Sequence, residues 1–153
     1  MKRKGKKVLA VASGGGHWIQ LLRLQPAFEG CRVIYISTHK GYHKQVNDSV
    51  FYSVTDANRW NKFKLIRMAF EVMYIVLKEK PDIIISTGAA PGLFAVAWGK
   101  LTGSKTIWLD SIANVERISM SGRLAKPFSN VHLTQWNHLA SGVSTVFKGN
   151  VIS

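Results

Sequence analysis

The feature that most constrains this chain is a series of short, unbroken aliphatic runs, each closed by small or turn-forming residues. KVLAVA (7–12) runs into SGGG, RVIYIS (32–37) into Thr38, DIIIS (82–86) into TGAAPG, and TIWL (106–109) into Asp110 and Ser111. A strand with one wet face alternates apolar and polar residues. These runs do not alternate, so both of their faces must be covered. Segments of helical period lie between them. Residues 17–28 carry Trp18, Ile19, Leu21, Leu22 and Leu24 at helical spacing, 61–80 form the longest such segment, and 91–102 a third. Further strands are predicted over 51–54, 131–135 and 144–147. Strands alternating with helices predict an α/β fold, a doubly wound, mostly parallel sheet between two helix layers.

With 153 residues and no internal repeat or linker, residues 1–153 are read as a single domain that includes a short basic N-terminal arm over 1–6. A single cysteine, Cys31, excludes an intramolecular disulfide and a cysteine-based zinc site, and suits a reducing compartment. Lys and Arg number 21 against 8 Asp and Glu, a formal net charge of +13. Such an excess calls for a polyanionic neighbour: nucleic acid, an anionic membrane surface, or a phosphate-bearing substrate. The apolar run 8–12 is too short for a signal-peptide core. No stretch reaches the roughly 18 apolar residues of a spanning helix. The longest candidate, 63–77, is interrupted by Lys64, Arg67 and Glu71. The expectation is a cytoplasmic chain, peripheral on the inner face of a membrane.

In segment 61–80 the polar positions Lys64, Arg67, Glu71, Tyr74 and Lys78 recur at intervals of 3, 4, 3 and 4. They form one narrow stripe on an otherwise apolar cylinder, which Pro81 then stops. Two readings follow. Either the helix is largely buried with one wet edge, or part of its apolar surface faces lipid. In the second case the basic residues Arg59, Lys62, Lys64 and Arg67, with Lys2, Arg3 and Lys4 of the arm, would lie on head groups.

Ser13, Gly14, Gly15, Gly16 and His17 follow the first strand directly and open the first helix. Glycines there permit a tight turn and close approach of a ligand, and the free N–H groups of a helix start attract an anion. The run is not the dinucleotide fingerprint, because Ile19 stands where its last glycine belongs, and the P-loop pattern is absent. A second loop, 86–92, contains Gly88 and Ala89, with Pro91 suited to the first helical turn. Both loops close strands at the edge where open α/β sheets bind ligands, which predicts a shared cleft. Asp110 and Ser111 close a third strand at the same edge. Asp110 reads as a general base, a hydroxyl-binding carboxylate or a helix cap, and His17 as a proton acceptor or a structural residue. His39, His43, His132 and His138 have no metal-ligand spacing with carboxylates. No metal and no cofactor are proposed.

Together these landmarks resemble a known family. SGGGH (13–17), KPDIIISTGAAPG (80–92), IWLDSIANVERISMSGRLAKPFSNVHLTQW (107–136) and FKGNVIS (147–153) are similar to stretches of one subunit type. It is the accessory, acceptor-side subunit of the two-component N-acetylglucosaminyltransferase of dolichol-linked oligosaccharide synthesis, whose bacterial relatives serve capsule and exopolysaccharide assembly. Asp110 departs from the family's usual Glu, and Trp18 from its usual Thr. The resemblance implies a Rossmann-like domain equivalent to the N-terminal half of a GT-B glycosyltransferase. It implies a partner subunit that binds the UDP-sugar, and an acceptor sugar carried on a polyprenyl diphosphate. His17 or Asp110 would be the base. The loops with Gly14 to Gly16, Gly88, Ala89, Ser111, Ser119 and Gly122 would line the cleft. Activity is expected only with the partner. The resemblance also suggests that the C-terminal segment meets that partner.

Two rival readings remain at this level. A basic nucleic-acid-binding module would interleave basic residues with exposed aromatics, yet Tyr35, Phe94, Trp98 and Trp108 fall in apolar runs. A self-contained small-molecule enzyme would have to work without a nucleotide motif and with few carboxylates.

Overall fold

A computed structural model of the chain describes residues 5–46 and 48–152. Lys2, Arg3 and Lys4 of the expected membrane set therefore lie outside the described residues. The strands are β1 (Lys7–Val11), β2 (Arg32–Ser37), β3 (Val50–Ser53), β4 (Ile83–Ser86), β5 (Lys105–Leu109), β6 (Val131–Thr134) and β7 (Val146–Phe147). The helices are α1 (Gly16–Arg23), α2 (Lys62–Glu79), α3 (Ala89–Leu101) and the short α4 (Met120–Ala125). The strands form one sheet in the order β3-β2-β1-β4-β5-β6-β7, with every pairing parallel.

The unbroken aliphatic runs explain this architecture. On β1, Leu9 and Val11 pack into a core with Ile34, Ile36 and Ile84 beneath Met68, Val72 and Val76 of α2 and Val96 of α3. Val8, Ala10 and Ala12 point the other way, into a second core with Tyr35 and with Trp18 and Leu21 of α1. Successive strand residues thus reach opposite faces and all are buried, at about 1.5–3 kcal/mol per large aliphatic side chain.

Helix ends follow local chemistry. Asn61 caps α2, its Oδ1 accepting the Lys64 N–H at 3.1 Å. Lys80 ends it in a left-handed conformation, φ 47°, before Pro81. The helix expected over 17–28 breaks into α1 and a 3-10 turn, Gln25–Phe28, because Pro26 has no N–H to continue the ladder. The 3-10 stretch Lys40–Val46 and α4 carried no clear periodic signal and were not expected.

The strand order decides where ligands can sit. From β1 the chain moves outward through β2 to β3, then α2 returns it to β4 on the other side of β1. The connections after β1 and β4 leave the sheet on opposite faces, and the carboxyl edge between them is where such sheets form their ligand crevice. This is the topological switch point of a doubly wound sheet.

Candidate functional site

Both glycine loops border that crevice, and they touch. The Thr87 hydroxyl donates to the His17 carbonyl at 2.6 Å, and the Thr87 N–H to the Val11 carbonyl at 3.3 Å. The His17 ring lies against Gly88, where a Cβ would fall 2.6 Å from Cδ2 and 2.8 Å from Nε2. Gly88 has φ 139° and ψ 176°, a conformation essentially closed to other residues. Ala89 also has positive φ, 67°. Neither α1 nor α3 carries a side-chain cap, so their first-turn N–H groups, Ala89 and Ala90 but not Pro91 in α3, have no capping side chain. Around Gly15 and Gly16 there is open space where a Cβ would stand.

Within the loop Ser13 Oγ and His17 Nδ1 are 2.9 Å apart. The half-buried imidazole has its pKa lowered from 6.5 by burial, partly opposed by the negative charge of Asp110. The ring is therefore neutral at pH 7. With Nδ1–H donated to Ser13 Oγ, Nε2 keeps a lone pair for a proton.

Asp110 sits differently from the exposed carboxylate of a base. It is 1% exposed, and both of its oxygens are occupied. Oδ1 accepts the Trp108 indole N–H (3.0 Å) and the Ser119 hydroxyl (2.6 Å). Oδ2 accepts Asn114 Nδ2 (3.1 Å) and the Ser119 N–H (2.9 Å). Ser119 Oγ in turn caps α4 by accepting the Gly122 N–H, and a Cβ on Gly122 would stand 2.5 Å from Asp110 Oδ1. Ser111 is buried too, its Oγ accepting from Gln20 Nε2 and from the Ala113 N–H. Asp110, Ser119 and Gly122 thus form one hydrogen-bonded cluster beside the buried Ser111 after β5, while Gly14 to Gly16, His17 and Gly88 lie in the loops that follow β1 and β4.

Tyr42 and Gln20 escaped the sequence reading. The Tyr42 hydroxyl accepts the Gly15 N–H at 2.9 Å, and its ring stacks between Trp18 (4.8 Å) and His39 (4.7 Å). The stretch Lys40–Val46 thereby braces the glycine loop. No local pattern announces this, because the partners lie 27 residues apart. Among the described residues no group of three His, Cys, Asp or Glu side chains could hold a metal ion.

A second surface belongs to α2. Met68, Val72, Ile75 and Val76 face the core, but Phe63, Ile66, Phe70, Tyr74 and Leu77 form an exposed row, Phe63 at 88%. Trp60, 80% exposed, extends it toward the carboxyl edge of the sheet, with the Arg59 guanidinium 4.7 Å from its ring. The cations Arg59, Lys62, Lys64, Arg67 and Lys78 are exposed around this row. The polar stripe is not uniformly wet. Glu71 is half-buried and turned inward, accepting from the Thr55 N–H and hydroxyl and pairing with Arg67 at 3.3 Å. No helix among the described residues is long and apolar enough to cross a membrane.

Comparison with known proteins gives this site its setting. The family described as "Oligosaccharide biosynthesis protein Alg14 like" matches residues 42–150. The chain belongs to this Alg14-like family. It is 33% identical over 72 residues to the UDP-N-acetylglucosamine transferase subunit ALG14 of Yarrowia lipolytica, a match covering 43% of this chain and 33% of that one. With the Mus musculus subunit of the same name it shares 25% identity over 98% of this chain and 85% of the other. The chain spans about a third of the first relatives it matches, 33% of the Yarrowia subunit and 31% of a Clostridium kluyveri N-acetylglucosamine transferase acting on a pyrophosphoryl-undecaprenol substrate.

Among solved structures, Acinetobacter baumannii MurG superposes with a TM-score of 0.76 at 18% identity, over 95% of this chain and 46% of MurG. A UDP-N-acetylglucosamine 2-epimerase from Rickettsia bellii gives 0.72 at 15% identity, over 97% and 46%. The fold of this Alg14-like chain is the Rossmann-like N-terminal half of the GT-B architecture.

Proposed function

We propose that this Alg14-like chain is the acceptor-side subunit of a bipartite UDP-N-acetylglucosamine transferase in polysaccharide or oligosaccharide synthesis. In this reading it holds the donor-binding partner at a membrane and presents a sugar carried on a polyprenyl diphosphate. The observation that carries it is the crevice at the switch point: two uncapped helix N-termini for an anion, with a neutral imidazole beside them, on a domain matching half of a two-domain transferase fold. The first-turn amides of α1 and α3 would take the diphosphate.

The acceptor hydroxyl would attack the anomeric carbon of the UDP-sugar held by the partner. The new C–O bond forms as the bond to UDP breaks, UDP leaves, and the hydroxyl proton passes to His17 Nε2. In this step the Nδ1–H would be donated to Ser13 Oγ, 2.9 Å away, which leaves Nε2 to take the proton. Asp110 acts through the cluster it organises rather than by taking the proton.

The α2 face supports the membrane part of the reading. Aromatic and aliphatic side chains in one row, ringed by cations, suit an anionic bilayer surface, where each basic residue is worth about 1 kcal/mol. Ile66 and Leu77 in that row have no use in stacking on bases, which favours lipid over nucleic acid.

The test is reconstitution. The chain alone should transfer no sugar from UDP-N-acetylglucosamine to a polyprenyl-diphosphate-linked acceptor, and adding the donor-binding subunit should restore transfer. His17→Ala should cut the restored rate at least ~10²-fold, the usual contribution of a general base. Turnover by the chain alone would refute the reading. Pelleting with anionic but not zwitterionic vesicles, abolished by Phe63→Ser with Phe70→Ser, tests the α2 face.

A further inference from the structure

A buried chain of amides crosses from the β5–β6 edge to α1. Gln20, one turn beyond His17, is 6% exposed, and Gln135, just past β6, is 2% exposed. Gln135 Nε2 donates to Gln20 Oε1 at 2.6 Å and to the Asp110 carbonyl at 3.0 Å. Gln20 Oε1 also accepts the Ile112 N–H at 3.1 Å. The remaining end of the chain, Gln135 Oε1, accepts the N–H of Val151 at 3.0 Å. The Val151 carbonyl then accepts Arg23 Nη1, on the last turn of α1, at 3.2 Å. The C-terminal segment is thus tied to α1 twice, once directly and once through two buried glutamines. Beneath it lies a small cavity of about 180 Å³ lined by Leu24, Leu109, Leu133 and Val151.

A buried amide network of this kind specifies one arrangement only while every member is paired. If Val151 leaves, Gln135 Oε1 loses its hydrogen-bond donor while buried, and Gln135 must move to satisfy it. Gln20 Oε1 then loses one of its two donors and keeps the Ile112 N–H. Helix α1 has only 8 residues, so a shift at Gln20 reaches His17 through a single turn of backbone.

We propose that Gln135 and Gln20 are positioning residues, through which the seating of the segment around Val151 sets the placement of α1 and of the His17 side chain in the crevice. The role of His17 in transfer rests on the function proposed above; the mechanical coupling does not. Any partner that seats or lifts this segment would act on the crevice without touching it.

The test uses the full chain labelled with nitrogen-15. Val151→Pro removes the donated N–H at the half-buried end of the network, and Gln135→Met removes its centre at similar volume. In both variants the amides of α1 should exchange with solvent about tenfold faster or more, as expected when a buried hydrogen-bonded tie is lost. Amides of β1 and β2 should be unchanged. The ring nitrogen resonances of His17 should shift at constant pH. With the donor-binding subunit present, kcat should fall while KM for the UDP-sugar stays constant. Loosening confined to the C-terminal segment, with α1 exchange and the His17 resonances unaltered in Val151→Pro, would overturn the proposal. An inactive wild-type pair would instead overturn the function proposed above and leave the exchange and resonance results standing.

Discussion

Replacing Asp110 by Asn keeps the volume and changes one acceptor oxygen into a donor. In the native site four donors converge on the two oxygens: the Trp108 indole N–H, the Ser119 hydroxyl, the Ser119 N–H and Asn114 Nδ2. An amide has one oxygen. If its NH₂ takes the Oδ2 place, it meets two N–H donors. If it takes the Oδ1 place, the hydroxyl can turn, but the buried indole N–H loses its acceptor. Either way at least one buried donor goes unpaired and a second bond weakens, at about 1–3 kcal/mol each, for a total of roughly 2–4 kcal/mol. For a domain of this size that corresponds to a Tm lowered by about 5–15 °C. Thermal and urea melts followed by circular dichroism measure it directly. Ser119→Ala removes one of the same donors and the α4 cap, so the double variant should lose less than the sum of the singles. A melt of Asp110→Asn within about 1 °C of the native chain would refute the assignment of Asp110 as the organiser of this cluster.

Two further outcomes follow from the site. Gly88→Ala forces a conformation reserved for glycine and drives a methyl into the His17 ring; it should destabilise the fold by about 1–3 kcal/mol and shift the His17 ring resonances, and an unshifted ring would contradict the packing described. Stability should also fall on acidification. Burial lowers the pKa of both His17 and His132 below 6.5, so the unfolded chain binds protons first and stability is lost as pH drops through and below 6.5. Urea midpoints constant from pH 7.5 to 5.5 would disprove it.

How much of this was legible in the sequence depends on the range of the interaction. The aliphatic runs and glycine loops are local, and they placed β1, β2, β4 and β5 and both loops to within a residue or two. The amphipathic pattern of α2 was visible, but it could not say whether Phe63, Phe70 and Leu77 were covered. That depends on what packs against the helix in the fold, and there all three are exposed. The pattern also misplaced Glu71 on the wet edge, because its partner Thr55 lies outside the helix, 16 residues away.

The site divides in the same way. That glycines and an imidazole stand at a strand-to-helix turn is a property of adjacent residues, since turn geometry and helix-end dipoles act over one or two peptide units. The doubly wound class follows likewise from the covered-strand pattern. The strand order, by contrast, brings the loops after β1 and β4 together across 70 residues, as the Thr87 to His17 bond shows. Burial of Asp110 among four donors and the Gln20–Gln135 pair, 115 residues apart, exist only once the sheet has closed. A side chain's protonation and hydrogen-bonding role depend on what surrounds it in space. Residue order therefore pointed to a ligand-binding edge, and packing alone distinguished the half-buried His17, in contact with Ser13 only through Nδ1, from Asp110, whose two oxygens are both engaged.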